Sequence, residues 1–124
     1  MVSKKIVRQL IEKYKKAWVE QNPADIVKIF AKNGIYHEKV LEKPFVGHAQ
    51  IKKYWKDKVV GEQKNIRFRL LNLFVDGNVA IAEWEARFYD KKRKTNIHMK
   101  EIAILKIRNN KISSLREYWS SEQY

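Results

Sequence analysis

Two glutamates stand where a buried carboxyl group could move protons. Glu101 and Glu117 each fall in a strand-like segment in which alternate residues are apolar, so strict alternation turns both side chains inward. An inward carboxylate is costly unless it is paired, and the candidate partners are Arg69 or a tyrosine hydroxyl. Arg116 lies on the opposite strand face from Glu117 and is not the obvious partner. A β-bulge would reverse the alternation and turn either glutamate to solvent.

Composition and spacing exclude several other kinds of chemistry. The chain has no cysteine, which rules out disulfides, thiolate zinc sites, iron–sulfur clusters and cysteine nucleophiles. His37, His48 and His98 share no metal-ligand spacing, and alternation turns His37 and His98 away from the interior. No Ser-His-Asp signature is present, and the four glycines form no phosphate loop. We therefore expect no metal site and no cofactor.

The chain is strongly basic, with 27 Lys and Arg against 14 Asp and Glu and a net charge of +13. Such a charge suggests nucleic acid or an anionic membrane, but it is spread along the chain and no nucleic-acid-binding motif accompanies it. The dense run Lys91–Lys94 falls between two strand-like segments, where a solvated hairpin tip is expected. Nucleic acid is therefore not the expected partner. The positive surroundings would still draw anionic ligands toward an interior site and lower the pKa of its carboxyls.

Length and apolar content predict one domain over residues 1–124. Apolar residues make up 44% of the chain, enough for a core, which argues against a disordered basic tail. No apolar run is long enough to span a membrane. The N-terminus is charged and lacks an apolar secretory segment, so we expect a cytoplasmic protein.

The first half of the chain has mainly helical periodicity. Apolar residues recur every fourth position from Ile6 to Trp18, with lysines on the other side. Asn22-Pro23 ends this helix and caps a short second one, for which Asn33-Gly34 is the expected stop. The next predicted elements are a strand at 35–41, a turn-rich link at 44–47 and a third helix over 51–59, closed by Gly61.

After Gly61 the period changes to that of strands, predicted at 66–75, 79–89, 96–107 and 111–119 and joined by tight turns. Three helices on one curved antiparallel sheet make an α+β architecture, whose concave mouth is a natural small-molecule pocket. Small residues on one strand face would leave space there, unless the first helix packs tightly on them. The residues of that face are Ala80, Ala82, Trp84, Ala86 and Phe88.

Three segments resemble the nuclear transport factor 2-like superfamily, especially its SnoaL-like polyketide cyclases and ketosteroid isomerase. They are AWVEQNPADIVKIFAKNGIYHE at 17–38, PFVGHAQIKKYW at 44–55 and KISSLREYW at 111–119. The resemblance spans nearly the whole chain and implies a cone-shaped, curved antiparallel sheet wrapped around three N-terminal helices, a cystatin-like roll with a deep pocket. The superfamily includes enzymes, binding modules and scaffolds, so the resemblance is specific for fold and weak for function.

The resemblance to ketosteroid isomerase implies roles for individual residues. Tyr14 matches the helix-1 tyrosine that donates to an oxyanion, and Glu38 matches the base at the end of the first strand. The family's second donor, a protonated acid, aligns with Ala103, and Glu101 on the same strand face is our substitute for it. The implied reaction is cofactor-independent proton transfer next to a carbonyl of a hydrophobic substrate. The expected ligand-binding residues are Trp18, Tyr36, Trp55, Phe68, Trp84, Glu117 and Trp119.

Two hypotheses remain open from the sequence. The first is a pocket protein with isomerase or cyclase activity on a small hydrophobic or carbonyl-bearing molecule. The second is a non-catalytic ligand-binding or scaffold domain whose basic surface meets an anionic partner. Tyr14 is equally explained as a core-edge tyrosine, and Glu38 as half of a surface ion pair. The family further implies a homodimer through the outer sheet face, where Ile102 and Ile104 form a small apolar patch.

Overall fold

The computed structural model describes all residues 1–124. Its helices are α1 (Lys4–Val19), α2 (Pro23–Lys28) and α3 (Gly47–Tyr54), and α3 continues as a π-helix over Trp55–Val60. Its strands are β1 (Phe30–His37), β2 (Phe45–Val46), β3 (Gln63–Asp76), β4 (Val79–Asp90), β5 (Thr95–Arg108) and β6 (Lys111–Gln123). This is the predicted α+β order, with a short additional strand before α3.

The strands form one six-stranded sheet in the order β2-β1-β6-β5-β4-β3. Four neighbouring pairs are antiparallel, whereas β1 and β6 run parallel. In that parallel pair His37 lies beside Arg116. Glu38 and Glu117 are the next residues along the two neighbouring chains, so the parallel pairing brings two distant carboxyl groups to one end of the sheet.

Helix α1 follows the sequence pattern closely. The Ser3 side chain caps its start by accepting a hydrogen bond from the Ile6 backbone N–H at 3.1 Å. Its buried face runs from Val7 through Tyr14 to Trp18, while its lysines lie on the other faces. This apolar face covers the inner side of the sheet and places the last turns of the helix next to the candidate site.

The predicted boundary between the second helix and the first strand is wrong. Helix α2 ends at Lys28, and β1 starts at Phe30 rather than at residue 35. Asn33-Gly34 does not stop a helix but lies inside β1, where the register with β6 shifts between Phe30 and Ile35. A Cβ at Gly34 would lie only 3.0 Å from the Ala31 carbonyl oxygen. The glycine is needed for close backbone approach at this irregularity.

The third helix departs from the simple α-helical pattern. Its α-helical part ends at Tyr54, and the π-helix that follows ends beside Gly61. The link before it contains β2, whose Phe45 pairs with Tyr36 of β1. Short π-helical segments occur often at functional sites, because they change which side chains face one direction.

The small-residue face of β4 is filled by packing. Ala80, Ala82 and Ala86 are all buried, and none of them lines the cavity that contains Glu38, Glu101 and Glu117. Trp84, between them, lies with its ring centroid 5.1 Å from that of Tyr14. Helix α1 therefore packs directly on this part of the sheet, and the open space lies farther along the strands.

The opposite face of the sheet is largely exposed. Its apolar residues include Phe74 and Ile81, which are directly opposite one another across β3 and β4. His98 also lies on this side, between the carboxylates of Glu85 and Glu122 at 3.1 Å from each. No helix has the length and apolar character needed to cross a membrane.

Candidate active site

A cavity of about 110 Å³ lies between the second half of α1, the π-helix and the inner face of the sheet. An apolar cavity of about 150 Å³ can hold benzene, so this space is on the scale of a small organic molecule. Among its lining residues are the carboxyl groups of Glu38, Glu101 and Glu117. The carboxyl-bearing residues that the sequence singled out are therefore brought to one place.

The two inner carboxyls come from adjacent strands. Glu101 pairs with Trp119 across β5 and β6, and Ala103 pairs with Glu117, so the two glutamates are diagonal neighbours on one face. Each is only 4% exposed. The predicted inward orientation of both is confirmed, and the position that aligns with the family's second acid holds the buried methyl group of Ala103.

Tyr14 is bound to one of these acids. Its hydroxyl donates a hydrogen bond of 2.9 Å to Oε1 of Glu117, and both groups are buried. The candidate pairing of an inward glutamate with a tyrosine hydroxyl is confirmed, whereas Arg69 lies on the outer face and donates to Glu85. The Tyr14 ring is held by edge contact with Trp55, at a centroid distance of 5.5 Å.

Two further tyrosines complete the polar end of the cavity. Tyr36 of β1 and Tyr54 of α3 both line it, with their rings 5.6 Å apart. The Tyr54 hydroxyl lies next to Glu38 and lowers its pKa, and the Tyr36 hydroxyl acts in the same way on Glu117. Phenol groups thus accompany each of these two carboxyls, and none of the three carboxyls takes part in an ion pair.

The pKa values of the three acids are shifted to different extents. Burial raises the pKa of Glu117 to about 8, against the opposing effect of the Tyr14 hydrogen bond. Burial, followed by the charge of Glu117, raises the pKa of Glu101 well above its usual range. The pKa of Glu38 is also raised by burial, but the charge of Lys39 opposes the rise. Burial therefore favours the protonated forms of Glu101 and Glu117, whereas at Glu38 it is opposed by a neighbouring positive charge.

The four tryptophans have different roles around this site. Trp18 donates its indole N–H to Gln63 Oε1 at 2.8 Å, and Trp119 donates to the Glu38 carbonyl oxygen at 3.2 Å. The indole N–H groups of Trp55 and Trp84 are buried without a hydrogen-bond partner in the chain, as is Oε2 of Glu101. Trp55 lines the cavity, and Trp84 lies directly opposite Glu101 across β4 and β5.

Most of the expected ligand-binding residues line the cavity. Trp18, Tyr36, Trp55, Glu117 and Trp119 are in its wall, together with Tyr14, Glu38 and Glu101. Phe68 and Trp84 are not, because they lie behind Tyr14 with their ring centroids 5.2 Å apart. They support the tyrosine from the core side instead of facing the open space.

Several lining residues were not singled out from the sequence as site residues. The helical spacing in the third predicted helix does not mark Tyr54 as a site residue, although a buried tyrosine hydroxyl needs a hydrogen-bond partner. Lys39, Lys58 and Arg93 also line the cavity, and no local signal predicts that three separate segments bring them together. No group of three or more His, Asp or Glu side chains is arranged to hold a metal ion.

Residues 11–115 match the family model of the SnoaL-like domain. The chain belongs to this family. The match runs from Ile11 in α1 to Leu115 near the start of β6, and so includes Tyr14, Glu38 and Glu101 but ends just before Glu117. No curated protein matches the SnoaL-like chain in sequence.

Solved structures agree with the SnoaL-like assignment. A proposed isomerase from Bacillus subtilis has a TM-score of 0.84 at 18% identity, covering 97% of this chain and 90% of that one. A ketosteroid isomerase-like protein from Catenulispora acidiphila, solved with trimethylamine, has a TM-score of 0.78 at 20% identity over 90% and 85% of the two chains. A proposed SnoaL-like polyketide cyclase from Shewanella denitrificans has a TM-score of 0.77 at 15% identity over 91% and 89%. The TM-scores show that this chain shares its fold with these three proteins.

Proposed function

We propose that this SnoaL-like domain is a cofactor-independent isomerase or cyclase that moves a proton next to a carbonyl of a small, largely hydrophobic molecule. The observation that carries the proposal is the convergence of Glu38, Glu101 and Glu117 on one cavity without an ion-paired partner. Carboxyl groups whose surroundings shift their pKa values to different extents are suited to separate acid and base roles.

Glu38 is the base in this scheme. It follows β1 and is half-buried. Burial raises its pKa, but Lys39 and Tyr54 oppose that rise, so Glu38 loses its proton more readily than the two inner acids. Its carboxylate removes a proton from the carbon next to the substrate carbonyl. The electrons of that C–H bond move into the carbonyl group and leave negative charge on its oxygen.

The inner acids stabilise that oxygen. A protonated Glu101 or Glu117 donates a hydrogen bond to the enolate, an interaction worth roughly 2.7–4 kcal/mol per donor in comparable sites. Tyr14 acts differently from the role that the resemblance implied. Its proton is already donated to Glu117, so it is a positioning residue that orients this acid. Glu38 then returns its proton to the same carbon or to a conjugated one, which completes an exchange or an isomerisation.

Deuterium exchange tests this reaction without knowledge of the natural substrate. The protein is incubated with cyclohexanone in D₂O, and proton NMR follows loss of the signal next to the carbonyl. We expect the protein to exchange deuterium faster than buffer alone. Glu38→Gln should lose most of this increase in rate. The control, Glu12→Gln, alters an exposed acid of α1 and leaves the rate unchanged. Exchange that persists in Glu38→Gln, or that never exceeds the buffer rate across a set of small ketones, contradicts the proposal.

A non-catalytic binding domain is the second candidate. It is favoured by the near-complete burial of Glu101 and Glu117, which leaves little of either carboxyl group exposed to a substrate. This candidate predicts tryptophan fluorescence changes with hydrophobic ligands but no deuterium exchange. A scaffold that binds nucleic acid through its basic surface instead predicts retention on DNA that weakens as salt rises.

A further inference from the structure

The basic hairpin tip, Lys91–Lys94, is exposed to solvent as expected, but its backbone is ordered beside the cavity. Asp90 Oδ1 accepts hydrogen bonds from the backbone N–H groups of Lys92 at 2.9 Å and Arg93 at 3.0 Å, which orders the turn between β4 and β5. The Lys91 backbone N–H donates to the Glu62 carbonyl oxygen at 2.7 Å. The tip is thereby held against the end of the π-helix, and Arg93 becomes part of the cavity wall.

Three cations from separate segments meet at this mouth. Lys39 follows β1, Lys58 lies on the π-helix and Arg93 lies on the hairpin tip, and all three line the same cavity. Burial raises the pKa of Glu38, and the positive charges of Lys39 and Lys58 both oppose that rise. We call Lys39, Lys58 and Arg93 the cationic rim.

The rim cations are only loosely neutralised by the protein. Lys39 lies 3.7 Å from Glu42, and Arg93 lies 3.8 Å from Asp90. Lys58 lies 3.2 Å from Glu62, in a pair whose two side chains are 40% and 29% exposed. The Lys39 and Lys58 pairs are exposed and contribute little energy, so an incoming anion can compete for these two lysines at small cost. Asp90, the partner of Arg93, is only 11% exposed and lines the same cavity.

Apolar side chains lie just inside the rim. Val59, Ile97, Met99 and Trp119 share the cavity wall with the cations. A ligand that satisfies both features has an acidic group at one end and an uncharged body at the other. An inorganic anion would make no use of the apolar wall, and a neutral hydrocarbon would make no use of the rim cations.

We propose that the cavity binds a small organic carboxylic acid, with its carboxylate on the cationic rim and its uncharged body directed toward Glu101 and Glu117. For turnover, this inference rests on the proposed function and narrows its substrate class to carbonyl-bearing acids. Binding itself is independent of turnover. The net charge of +13 would add to the local attraction and speed the approach of such a ligand.

Benzoate and benzamide form a matched pair of probes, because they share a shape and differ in charge. Binding is measured by isothermal titration calorimetry and by tryptophan fluorescence. At low ionic strength we expect benzoate to bind about tenfold more tightly than benzamide or better. The preference should decline as salt rises to about 0.5 M, since the rim is open to solvent.

A triple variant, Lys39→Gln, Lys58→Gln and Arg93→Gln, should abolish the preference for benzoate while retaining weak benzamide binding. The matched control changes Lys4, Lys5 and Arg8 to Gln and lowers the net charge by the same amount. These residues lie near the opposite end of the sheet, because the neighbouring Val2 N–H bonds to the Gly77 carbonyl oxygen. The control should keep the preference.

Three results overturn this inference: equal affinity for the two probes, no binding of either at about 10 mM, or an equal loss in the control variant. Equal affinity together with deuterium exchange refutes the acid-binding inference and leaves the proposed function standing. A preference for benzoate without any deuterium exchange supports the acid-binding inference and contradicts the proposed function. Circular dichroism confirms that each variant is folded before its binding is compared.

Discussion

The Tyr14 hydroxyl lies 2.9 Å from Oε1 of Glu117, although the two residues are 103 positions apart in the chain. This bond joins the first helix to the last strand at the inner end of the cavity. It gives a buried acid a neutral partner and so holds it in place without an ion pair.

We expect Tyr14→Phe to destabilise the fold by about 1–3 kcal/mol, because it leaves a buried carboxyl oxygen without its donor. The hydrogen bond from Tyr14 favours the ionised form of Glu117, so removing this bond raises the pKa of Glu117 further. The loss of stability should therefore grow as pH rises. Urea denaturation at several pH values measures both effects. Tyr118→Phe, at an exposed position on the outer face, is the control. A loss of stability that does not depend on pH would show that the hydroxyl does not act on the ionisation of Glu117.

Stability should fall as pH rises from about 5 to 8. The pKa of Glu117 is about 8 in the folded protein, whereas an unfolded glutamate titrates near 4.3. Between these values the folded state holds a proton that the unfolded state has lost, so the free energy of unfolding decreases by up to about 1.4 kcal/mol per pH unit for this group. The contribution is complete below about pH 4.3 and is lost once pH exceeds the folded pKa.

Glu117→Gln isolates this contribution, because an amide cannot titrate. Its free energy of unfolding should depend less steeply on pH over the same range, while the exposed control Glu12→Gln should keep the slope of the parent protein. Urea midpoints at pH 5.5 and 7.5 would suffice, with a constant m-value to verify two-state unfolding. A parent protein that becomes more stable over this range would contradict the raised pKa.

The sequence predicts the inward glutamates and the helical face well, because both depend on local alternation or periodicity. It does not predict the Tyr14–Glu117 bond or the cationic rim, since each depends on how distant segments dock. The helix stop predicted at Asn33-Gly34 is wrong for a different reason. The pair has the form of a helix C-cap, but the tight approach of Gly34 to the Ala31 and Ile112 backbones requires a glycine within the strand.

The exchange reaction should have a bell-shaped pH dependence. Activity rises as Glu38 loses its proton and falls as the inner acids lose theirs, with the falling limb near the Glu117 pKa of about 8. Glu117→Gln should remove or displace the falling limb and leave the rising limb in place. Rates of deuterium incorporation from pH 5 to about 9.5 measure both limbs. A rate that rises without limit through this range would indicate catalysis by hydroxide rather than by the site.

The outer sheet face is a candidate homodimer surface. Phe74, Ile81, Ile102 and Tyr118 are exposed on one side of four neighbouring strands, at 63%, 40%, 36% and 45% exposure. If two copies meet there, Ile102→Glu should convert a dimer into a monomer, because it places a charge within the apolar patch. Light scattering after size exclusion measures the mass. Leu41→Glu, at a fully exposed turn position, should have no effect, and a monomeric parent protein would refute the interface.

Gly34 provides a stability test at the irregular start of β1. In Gly34→Ala the new methyl group would meet the Ala31 carbonyl oxygen at 3.0 Å and the Ile112 carbonyl oxygen at 3.2 Å. Both atoms belong to the backbone, so relief requires the β1 backbone to change around Ala31 as well as to move away from β6, and we expect a loss of stability of about 1–3 kcal/mol. Gly61→Ala is the matched control, because its Cβ would lie 3.6 Å from the nearest atom, an ordinary contact. Because the parallel β1–β6 pair also aligns Glu38 with Glu117, Gly34→Ala should lower deuterium exchange under conditions where it is still folded. Equal thermal stability of the two variants would show that the strands tolerate separation here.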